Sequence, residues 1–349
     1  MSPSGKAALV RKPDAERAAA ALEAEDVYDP SRRVDAHDAE RIALPITDAP
    51  ETTAVEAVIE TDLPARKRGL EDILRSRGVS DATIEAAPAS WAVIGSVVVV
   101  DFGDVSAARQ LDTAARTAIG EALLELHGGA DTVFARGGIH GSRRDPSGSV
   151  VAGVGDTETV HTEHGTTYAL DLSETMFSPG NKAERARMGE VVAPGERVFD
   201  MFAGIGYFAL PMARAGASVT AAEIDAESHR RLVENAQRNG VSDDIDAVHG
   251  DCRSVETTAD RVVMGYYDAY EYLDSALDAL RPNGVIHLHE AAPEAVFPDR
   301  PIGRLRAAVG GTGRTVDVLD THRIKSHSAG VVHGVVDARV GSCSFNSRI

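Results

Sequence analysis

The sequence is poor in cysteine and has no long apolar run. Its 349 residues include two cysteines, Cys252 and Cys343, which are too few for a disulfide scaffold or a cysteine-rich metal site. It shows no secretion signal, no lipidation motif and no apolar stretch of about eighteen residues, the length that suggests a transmembrane helix. No spacing of ligand residues is typical of a metal site. We therefore expect a cytoplasmic protein that holds no metal and does not enter a membrane.

Lysine is also scarce. The net charge is −18, and lysine stands at only five positions, so arginine supplies most of the positive charge. An acidic surplus ordinarily argues against a nucleic-acid partner, because phosphate contacts need cations. In a salty cytoplasm, however, screening over a few ångströms hides distant acids while arginine still binds locally. We favour halophilic adaptation, and under it RNA stays a possible partner.

A strand–turn–helix pattern near residue 200 carries the clearest chemical signal. A predicted strand ends at Asp200, Gly204 and Gly206 form a turn, and an apolar helical pattern resumes at Tyr207. Glycines let the backbone approach a ligand without a Cβ in the way. The third glycine of the dinucleotide pattern is missing, which disfavours a nicotinamide oxidoreductase. The pattern is similar to motif I of class I S-adenosylmethionine-dependent enzymes.

Two acids follow the next two predicted strands. Glu223 ends the second strand, where a carboxylate accepts hydrogen bonds from ribose hydroxyls, and Asp251 follows the third, where it accepts from an adenine amino group. The alternative is a generic Rossmann-like domain whose acids only cap helices. Asp225 is such a cap candidate under both interpretations, for a helix that extends to Asn239.

The pattern along the chain predicts three regions. Residues 1–80 alternate acidic and basic side chains with helical spacing, which indicates a small N-terminal helical or partly mobile region. Residues 81–184 predict an α+β middle domain, with one buried strand over 91–102 and a helix over 107–126. Residues 185–349 alternate strands and helices and close with a hairpin. The expected fold class is α/β, a Rossmann-like catalytic domain preceded by an α+β domain.

Residues 171–188 identify a family when they are taken with motif I. They read DLSETMFSPGNKAERARM. This segment resembles the one that joins the middle and catalytic domains in two sister families of tRNA-modifying enzymes. One family methylates N1 of guanosine 37, and the other is the archaeal wyosine-pathway tRNA aminocarboxypropyltransferase. The resemblance extends from about Trp91 to the C-terminus, and the first eighty residues match poorly.

Two places separate the sister families. After the fourth strand the methyltransferases carry an Asn-Leu-Pro motif, whereas this chain reads Met264-Gly265-Tyr266, which looks like the aminocarboxypropyltransferase. Residues 284–290, GVIHLHE, also look like that family. The resemblance implies transfer of the 3-amino-3-carboxypropyl group from S-adenosylmethionine to C7 of 4-demethylwyosine at position 37, in the anticodon region of tRNA(Phe). The alternatives are the N1-guanosine methyltransferase and a non-catalytic binding protein that has kept the fold.

The resemblance also implies roles for single residues. The residues it assigns to S-adenosylmethionine are Ser178, Arg185, Gly204, Glu223, Asp251 and the backbone of Cys252. Ser178 and Arg185 would lie at the methionine end, where the guanidinium binds a carboxylate; otherwise Ser178 caps a helix and Arg185 forms a surface ion pair. By analogy Glu184 assists loss of the proton from the attacked carbon, unless it is a solvated helix glutamate.

Two further groups of residues have an open interpretation. A glycine-rich loop carries four basic side chains, and it is either a phosphate contact or a solvated face: Arg136, His140, Arg143 and Arg144. His287 and His289 alternate on one predicted strand, so they point the same way, and buried structural histidines are the commoner outcome.

Overall fold

The structure is a computed structural model that describes residues 5–61, 63–66, 69–103, 111–140, 145–310 and 312–342. Its contacts divide the chain into two units, Met1–Ser76 and Arg77–Ile349. No helix among the described residues is long and apolar enough to cross a membrane.

The first unit is a small antiparallel sheet with helices. Its strands, in the spatial order β2-β3-β1-β4, are β1 (Lys6–Arg11), β2 (Asp35–Ala36), β3 (Arg41–Ile46) and β4 (Ala57–Glu60). Its helices are α1 (Ala15–Ala24) and α2 (Leu70–Ser76). Leu22 of α1 packs with Val10 and Leu44 of the sheet. The sequence analysis expected a helical or partly mobile region and missed this sheet, because each strand is only two to six residues long and charged residues obscure its apolar alternation.

The second unit begins with a mixed sheet of order β5-β6-β7-β8. Its elements are α3 (Asp81–Glu85), β5 (Trp91–Ile94), β6 (Val97–Val100), α4 (Thr113–Leu126), β7 (Thr132–His140) and β8 (Asp145–Gly153). The single strand expected over 91–102 is two antiparallel strands, since Gly95 turns the chain at φ +56°. Such a φ is open to glycine at little cost. The first residues of the helix expected from 107 lie partly outside the described residues.

A seven-stranded sheet of order β13-β12-β11-β14-β15-β17-β16 follows. The two-stranded ribbon of β9 (Glu158–Glu163) and β10 (Thr166–Asp171) comes before it. The strands of the sheet are β11 (Arg197–Asp200), β12 (Ser218–Glu223), β13 (Ile245–His249), β14 (Ala259–Met264), β15 (Leu280–Pro293), β16 (Arg314–Ser328) and β17 (Val331–Ser342). The first five are parallel, and the long hairpin of β16 and β17 closes the sheet antiparallel.

Helices cover both faces of this sheet. They are α5 (Lys182–Val191), α6 (Ala209–Arg214), α7 (Ala226–Arg238), α8 (Leu273–Ala279) and α9 (Asp299–Val309). Neighbouring residues of β11 point to opposite faces: Val198 packs in the cluster that includes α6 and α7, and Phe199 in the cluster that includes α8 and α9. The first cluster also contains Ile94 and Phe134 of the preceding sheet, so one core joins that sheet to the catalytic region. The expected α/β fold class with a Rossmann-like domain is confirmed.

Candidate active site

The candidate site lies at the carboxyl edge of the parallel strands. β11 has β12 on one side and β14 on the other, so the strand order reverses direction beside β11. Ligands of open α/β sheets bind in the crevice at such a point. The last residue of β12, Glu223, lies at this edge, and the loops after β11, β13 and β14 bring Gly204, Asp251 and Gly265 to it.

Glu223 holds the glycine turn. Its Oε2 accepts from the Gly204 N–H at 2.7 Å, and its Oε1 accepts from the Asp225 N–H at 2.8 Å. Burial raises the pKa of Glu223. Gly204 has φ +56°, and an added Cβ would lie 2.3 Å from the Tyr207 ring. The turn therefore needs glycine for its own geometry. Asp225 caps α7 through the Ser228 N–H, as the sequence predicted.

Asp200 is a buried acid with an unused oxygen. Its Oδ1 accepts from the Phe202 N–H at 3.3 Å, while Oδ2 has no hydrogen-bond partner among the described residues. Burial, with a contribution from Glu223, raises the pKa of Asp200 to about 7. A buried polar atom without a partner costs free energy unless a ligand or water satisfies it. This orphaned oxygen fits a ligand that brings donors or positive charge to the turn.

Asp251 and Cys252 stand where a 3₁₀ helix, Cys252–Ser254, begins. The Asp251 carboxylate accepts from the Arg253 backbone N–H at 2.9 Å and from its guanidinium at 2.5 Å. The Arg253 side chain holds the pKa of Asp251 below its ordinary value. Burial raises the pKa of the Cys252 thiol to about 12, so the thiol stays protonated near neutral pH. An adenine amino group would share Asp251 with Arg253.

Ser178 and Arg185 lie close together, although Arg185 is in α5 and Ser178 precedes that helix. Arg185 Nη1 donates to the Ser178 carbonyl at 3.0 Å, and its guanidinium lies 4.5 Å from the centre of the Phe177 ring. Ser178 occupies the N-cap position of the 3₁₀ helix Pro179–Asn181, but its side chain makes no capping bond. Arg185 is 2% exposed and pairs with Glu163, so the surface-pair alternative was wrong. Arg185 Nη2 is buried and has no hydrogen-bond partner among the described residues.

A cavity of about 750 Å³ is lined by Ser178 but not by Arg185. The preceding sheet, the segment before α5, the loop after β14 and the hairpin all contribute to its wall, through side chains that include Trp91, Arg136, Phe177, Ser178, Tyr266, Lys325 and His333. Lys325 Nζ donates to the Ser178 Oγ at 2.5 Å. Aromatic faces and cations suit a planar base attached to a phosphate chain.

Glu184 is buried, so its interpretation as a solvated helix residue was wrong. Arg187 donates to both of its oxygens, at 2.6 and 2.9 Å, and His322 Nε2 lies 2.9 Å from Oε2. Burial alone would raise the pKa of Glu184, but the hydrogen bonds from Arg187 and His322 bring that pKa well below its ordinary value. Arg187 also binds Asp337 at 2.7 Å.

Both strand histidines are buried, as expected. His287 Nδ1 lies 2.6 Å from Asp337, and His289 Nδ1 lies 3.1 Å from His333 Nε2. Asp320, His322 and Asp337 are near enough to hold a cation. The Arg187 guanidinium already neutralises Asp337, so we assign no metal ligand there.

The sequence analysis missed several site residues. Glu163 and Lys325 partner Arg185 and Ser178 from distant strands, and no local pattern signals such pairs. The scarcity of lysine was the one available hint for Lys325. Of the basic loop, Arg143 and Arg144 and the side chain of His140 lie outside the described residues. Arg136 is exposed and lies 3.6 Å from Asp101.

Comparison with known proteins shows the family of the chain. Residues 159–319 match the TRM5/TYW2 methyltransferase domain, and residues 70–157 match the TYW2 N-terminal domain. The chain is 36% identical over 282 residues to the tRNA(Phe) (4-demethylwyosine(37)-C(7)) aminocarboxypropyltransferase of Pyrococcus horikoshii, which covers 79% of this chain and 99% of that protein. The chain belongs to the TRM5/TYW2 family. Members of this family are S-adenosylmethionine-dependent transferases, and this chain is one.

Other relatives lie on both branches of the TRM5/TYW2 family. The tRNA (guanine(37)-N(1))-methyltransferase Trm5b of Pyrococcus abyssi is 31% identical, over 72% of this chain and 75% of that protein. The structure of P. horikoshii TYW2 with MeSAdo has a TM-score of 0.67 at 34% identity and covers 78% of this chain and 98% of that one. The structure of P. abyssi Trm5b has a TM-score of 0.72 at 26% identity, with coverage of 96% and 99%.

Proposed function

We propose that the protein transfers the 3-amino-3-carboxypropyl group of S-adenosylmethionine to C7 of 4-demethylwyosine at position 37 of tRNA(Phe), releasing methylthioadenosine. The observation that carries the proposal is the match to the P. horikoshii aminocarboxypropyltransferase over 99% of that protein. The TYW2 N-terminal match at residues 70–157 supports the same branch.

The second candidate is the N1-guanosine methyltransferase. It is favoured by the likeness to P. abyssi Trm5b, which extends over 96% of this chain. Against it, Met264-Gly265-Tyr266 after β14 contains neither the asparagine nor the proline that the resemblance requires of a methyltransferase. The aminocarboxypropyl reaction is therefore the better-supported function.

We propose that S-adenosylmethionine lies along the carboxyl edge of the sheet. Gly204 would approach it with its backbone, Glu223 would accept from the ribose hydroxyls, and Asp251 with the Cys252 backbone would meet the adenine edge. The unpartnered Arg185 Nη2, beside Ser178, would donate to the amino-acid carboxylate. When bound, S-adenosylmethionine supplies an electrophilic carbon, and the protein selects among three such carbons by the one that it holds in line with the nucleophile.

We propose that the cavity beside Phe177 and Tyr266 receives the target base. A volume of about 750 Å³ accommodates a tricyclic base together with part of the donor. Glu184 is absent from the residues lining that cavity, which argues that this carboxylate assists proton loss through other groups rather than by touching the base.

The domain boundaries are part of the same proposal. We assign the N-terminal region to residues 1–80, the tRNA-contacting middle domain to residues 81–184 and the catalytic domain to residues 185–349. Arg136 lines the cavity and is exposed, which suits contact with a phosphate next to the modified base. A tRNA substrate implies a cytoplasmic protein, and the anticodon region would be its binding partner.

Mass spectrometry of tRNA(Phe) tests the proposal in cells. A strain that lacks the chain should accumulate the unextended tricyclic base at position 37, and the intact gene should restore the side chain. Loss of N1-methylguanosine instead, with no tricyclic base formed, would support the methyltransferase.

A further inference from the structure

Four ionisable side chains form a line from the cavity wall toward solvent. His333 lines the cavity, and its Nε2 lies 3.1 Å from His289 Nδ1. His289 Nε2 lies 4.0 Å from Glu184 Oε1, and Glu184 Oε2 lies 2.9 Å from His322 Nε2. The His322 side chain is 25% exposed. The line therefore crosses from β17 through β15 and α5 to β16.

The two inner histidines, His333 and His289, each have one ring nitrogen without a hydrogen-bond partner among the described residues. His333 is 2% exposed and His289 is 1% exposed. Neither His333 Nδ1 nor His289 Nε2 has a hydrogen-bond partner among the described residues. A buried ring nitrogen without a partner costs free energy. Buried polar atoms in a protein core ordinarily have hydrogen-bond partners, so two unpartnered nitrogens in neighbouring histidines need another explanation.

We propose that His333, His289, Glu184 and His322 conduct the proton released by the target base from the cavity to the protein surface. This inference rests on the proposed function, since it concerns the proton which that reaction must discard.

The reaction leaves one proton to remove. The bond between C7 of the base and the γ-carbon of the donor forms as the γ-carbon–sulfur bond breaks, and sulfur keeps the electron pair as a neutral thioether. C7 then carries both its hydrogen and the new substituent, and the ring is cationic. Loss of that hydrogen as a proton returns the C–H electron pair to the ring. The positive charge of the sulfonium thus leaves as this proton.

One set of tautomers lets the proton move outward. If His333 Nε2–H donates to His289 Nδ1, then His333 Nδ1 carries the lone pair that accepts the proton. His289 Nε2–H then faces Glu184 Oε1, and Glu184 Oε2 passes a proton to His322 Nε2 when the His322 ring carries its hydrogen on Nδ1, from which a proton leaves to solvent. The 4.0 Å step is longer than a hydrogen bond by about 1 Å, so the proposed transfer requires a side-chain rotation or a bridging water there.

The proton affinity of the three histidines rises from the cavity to the surface, whereas Glu184 between them has a pKa below its ordinary value and carries the proton only in transit. Burial, with repulsion from His289 and Lys325, lowers the pKa of His333 to about 2. Burial lowers the pKa of His289 to about 4. The hydrogen bond to Glu184 raises the pKa of His322 above its ordinary value. Hydrogen bonds from Arg187 and His322 favour the ionised form of Glu184 and fix the carboxylate between the two histidines.

The test compares variants of the full chain in single-turnover transfer to tRNA carrying the tricyclic base. For His333→Gln we expect a loss of about 100-fold in the chemical step, the lower end of the range for general base catalysis. His322→Gln should lose less, and added imidazole should restore its rate because the outer end is partly exposed. S-adenosylmethionine affinity, measured by calorimetry, should stay within about threefold of wild type in both variants, well under the tenfold that 1.4 kcal/mol represents.

A matched control is His164→Asn, an exposed histidine in the turn between β9 and β10. His164 has a positive φ of 47°, a backbone conformation that asparagine tolerates. A second readout, independent of activity, is the proton NMR titration of His322: its pKa should fall in Glu184→Gln.

Three results would overturn the relay. They are wild-type rates in both His333→Gln and His322→Gln, a slow His322→Gln that imidazole does not restore, and an unchanged His322 titration in Glu184→Gln. Failure of the proposed function looks different, since the wild-type protein would then release S-adenosylhomocysteine.

Discussion

Arg185 is a buried arginine that uses only part of its guanidinium. Nη1 binds the Ser178 carbonyl, Nε binds Glu163, and Nη2 has no partner among the described residues. Most buried donors are satisfied. The spare group therefore gives a physical reason to expect a carboxylate ligand at this place.

Arg185→Lys should weaken the binding of S-adenosylmethionine more than the binding of methylthioadenosine. Lysine keeps the charge but loses the planar fork, so affinity for S-adenosylmethionine should fall by about 10- to 100-fold, the value of one charged hydrogen bond. Methylthioadenosine lacks the amino-acid carboxylate, and its affinity should change by less than about threefold, since no charged bond is lost. Calorimetry with both ligands measures the difference, with exposed Arg230→Lys on α7 as the control. Equal losses for both ligands would remove Arg185 from the methionine end.

Glu223→Gln tests the other end of the ligand. The substitution keeps the shape of the side chain but removes the charge that we expect to accept from ribose hydroxyls. Affinity for both S-adenosylmethionine and methylthioadenosine should fall about tenfold or more. Glu227→Gln, in the first turn of α7, should leave both affinities unchanged. Unaltered binding in Glu223→Gln would contradict the ribose assignment.

At the scale of elements, the β16–β17 hairpin supplies much of the site. It carries His322, Lys325, His333 and Asp337, while α5 supplies Glu184 and Arg187. The two elements are joined by buried charges that are about 150 residues apart in sequence. Because the contact between α5 and the hairpin depends on the ionised Asp337 carboxylate beside Arg187, protonation of Asp337 in acid should weaken it.

Asp337 should make stability depend on pH below about 4. Burial alone raises its pKa, but His287 and Arg187 more than offset this and bring the pKa of Asp337 to about 2. A carboxyl with a depressed folded pKa stabilises the protein above its unfolded pKa and loses that contribution as pH falls toward 2. The contribution at stake is about 2 kcal/mol. Urea unfolding at pH 6 and pH 3 should show a smaller acid loss in Asp337→Asn than in wild type.

Asp317→Asn is the control for that experiment. Asp317 is an exposed acid on the neighbouring strand β16. Its variant should lose stability between pH 6 and pH 3 as wild type does. An Asp337→Asn variant with the full wild-type acid loss would show that this carboxylate does not govern the contact.

The sequence was sufficient to predict the strands and helices that are marked by apolar periodicity and turn residues within one segment of the chain. The strands and helices between 197 and 309 follow from apolar periodicity and glycine turns, and Asp225 was recognisable as a cap. The hairpin was expected over 315–319 and 331–340, whereas β16 and β17 are longer because bulges let polar residues continue the pairing. The pairs Arg185–Glu163 and Glu184–His322 were not predictable, since each depends on tertiary approach between distant segments.

At the scale of the whole molecule, the charge of −18 opposes compactness in dilute salt. Screening shortens from about 10 Å at 0.1 M to about 3 Å at 1 M salt. We propose salt adaptation, and the free energy of unfolding should therefore increase between 0.1 M and 2 M KCl. Asp243→Lys with Asp246→Lys, which replaces two exposed acids, should flatten this dependence. Stability that is independent of salt in the wild type would refute the adaptation.

The central claim concerns which carbon of the donor meets the RNA, and the released nucleoside reports it directly. Purified protein, S-adenosylmethionine and tRNA(Phe) carrying 4-demethylwyosine should be incubated and the small products separated by chromatography. The account predicts methylthioadenosine in a one-to-one ratio with modified tRNA. Release of S-adenosylhomocysteine without methylthioadenosine would contradict it.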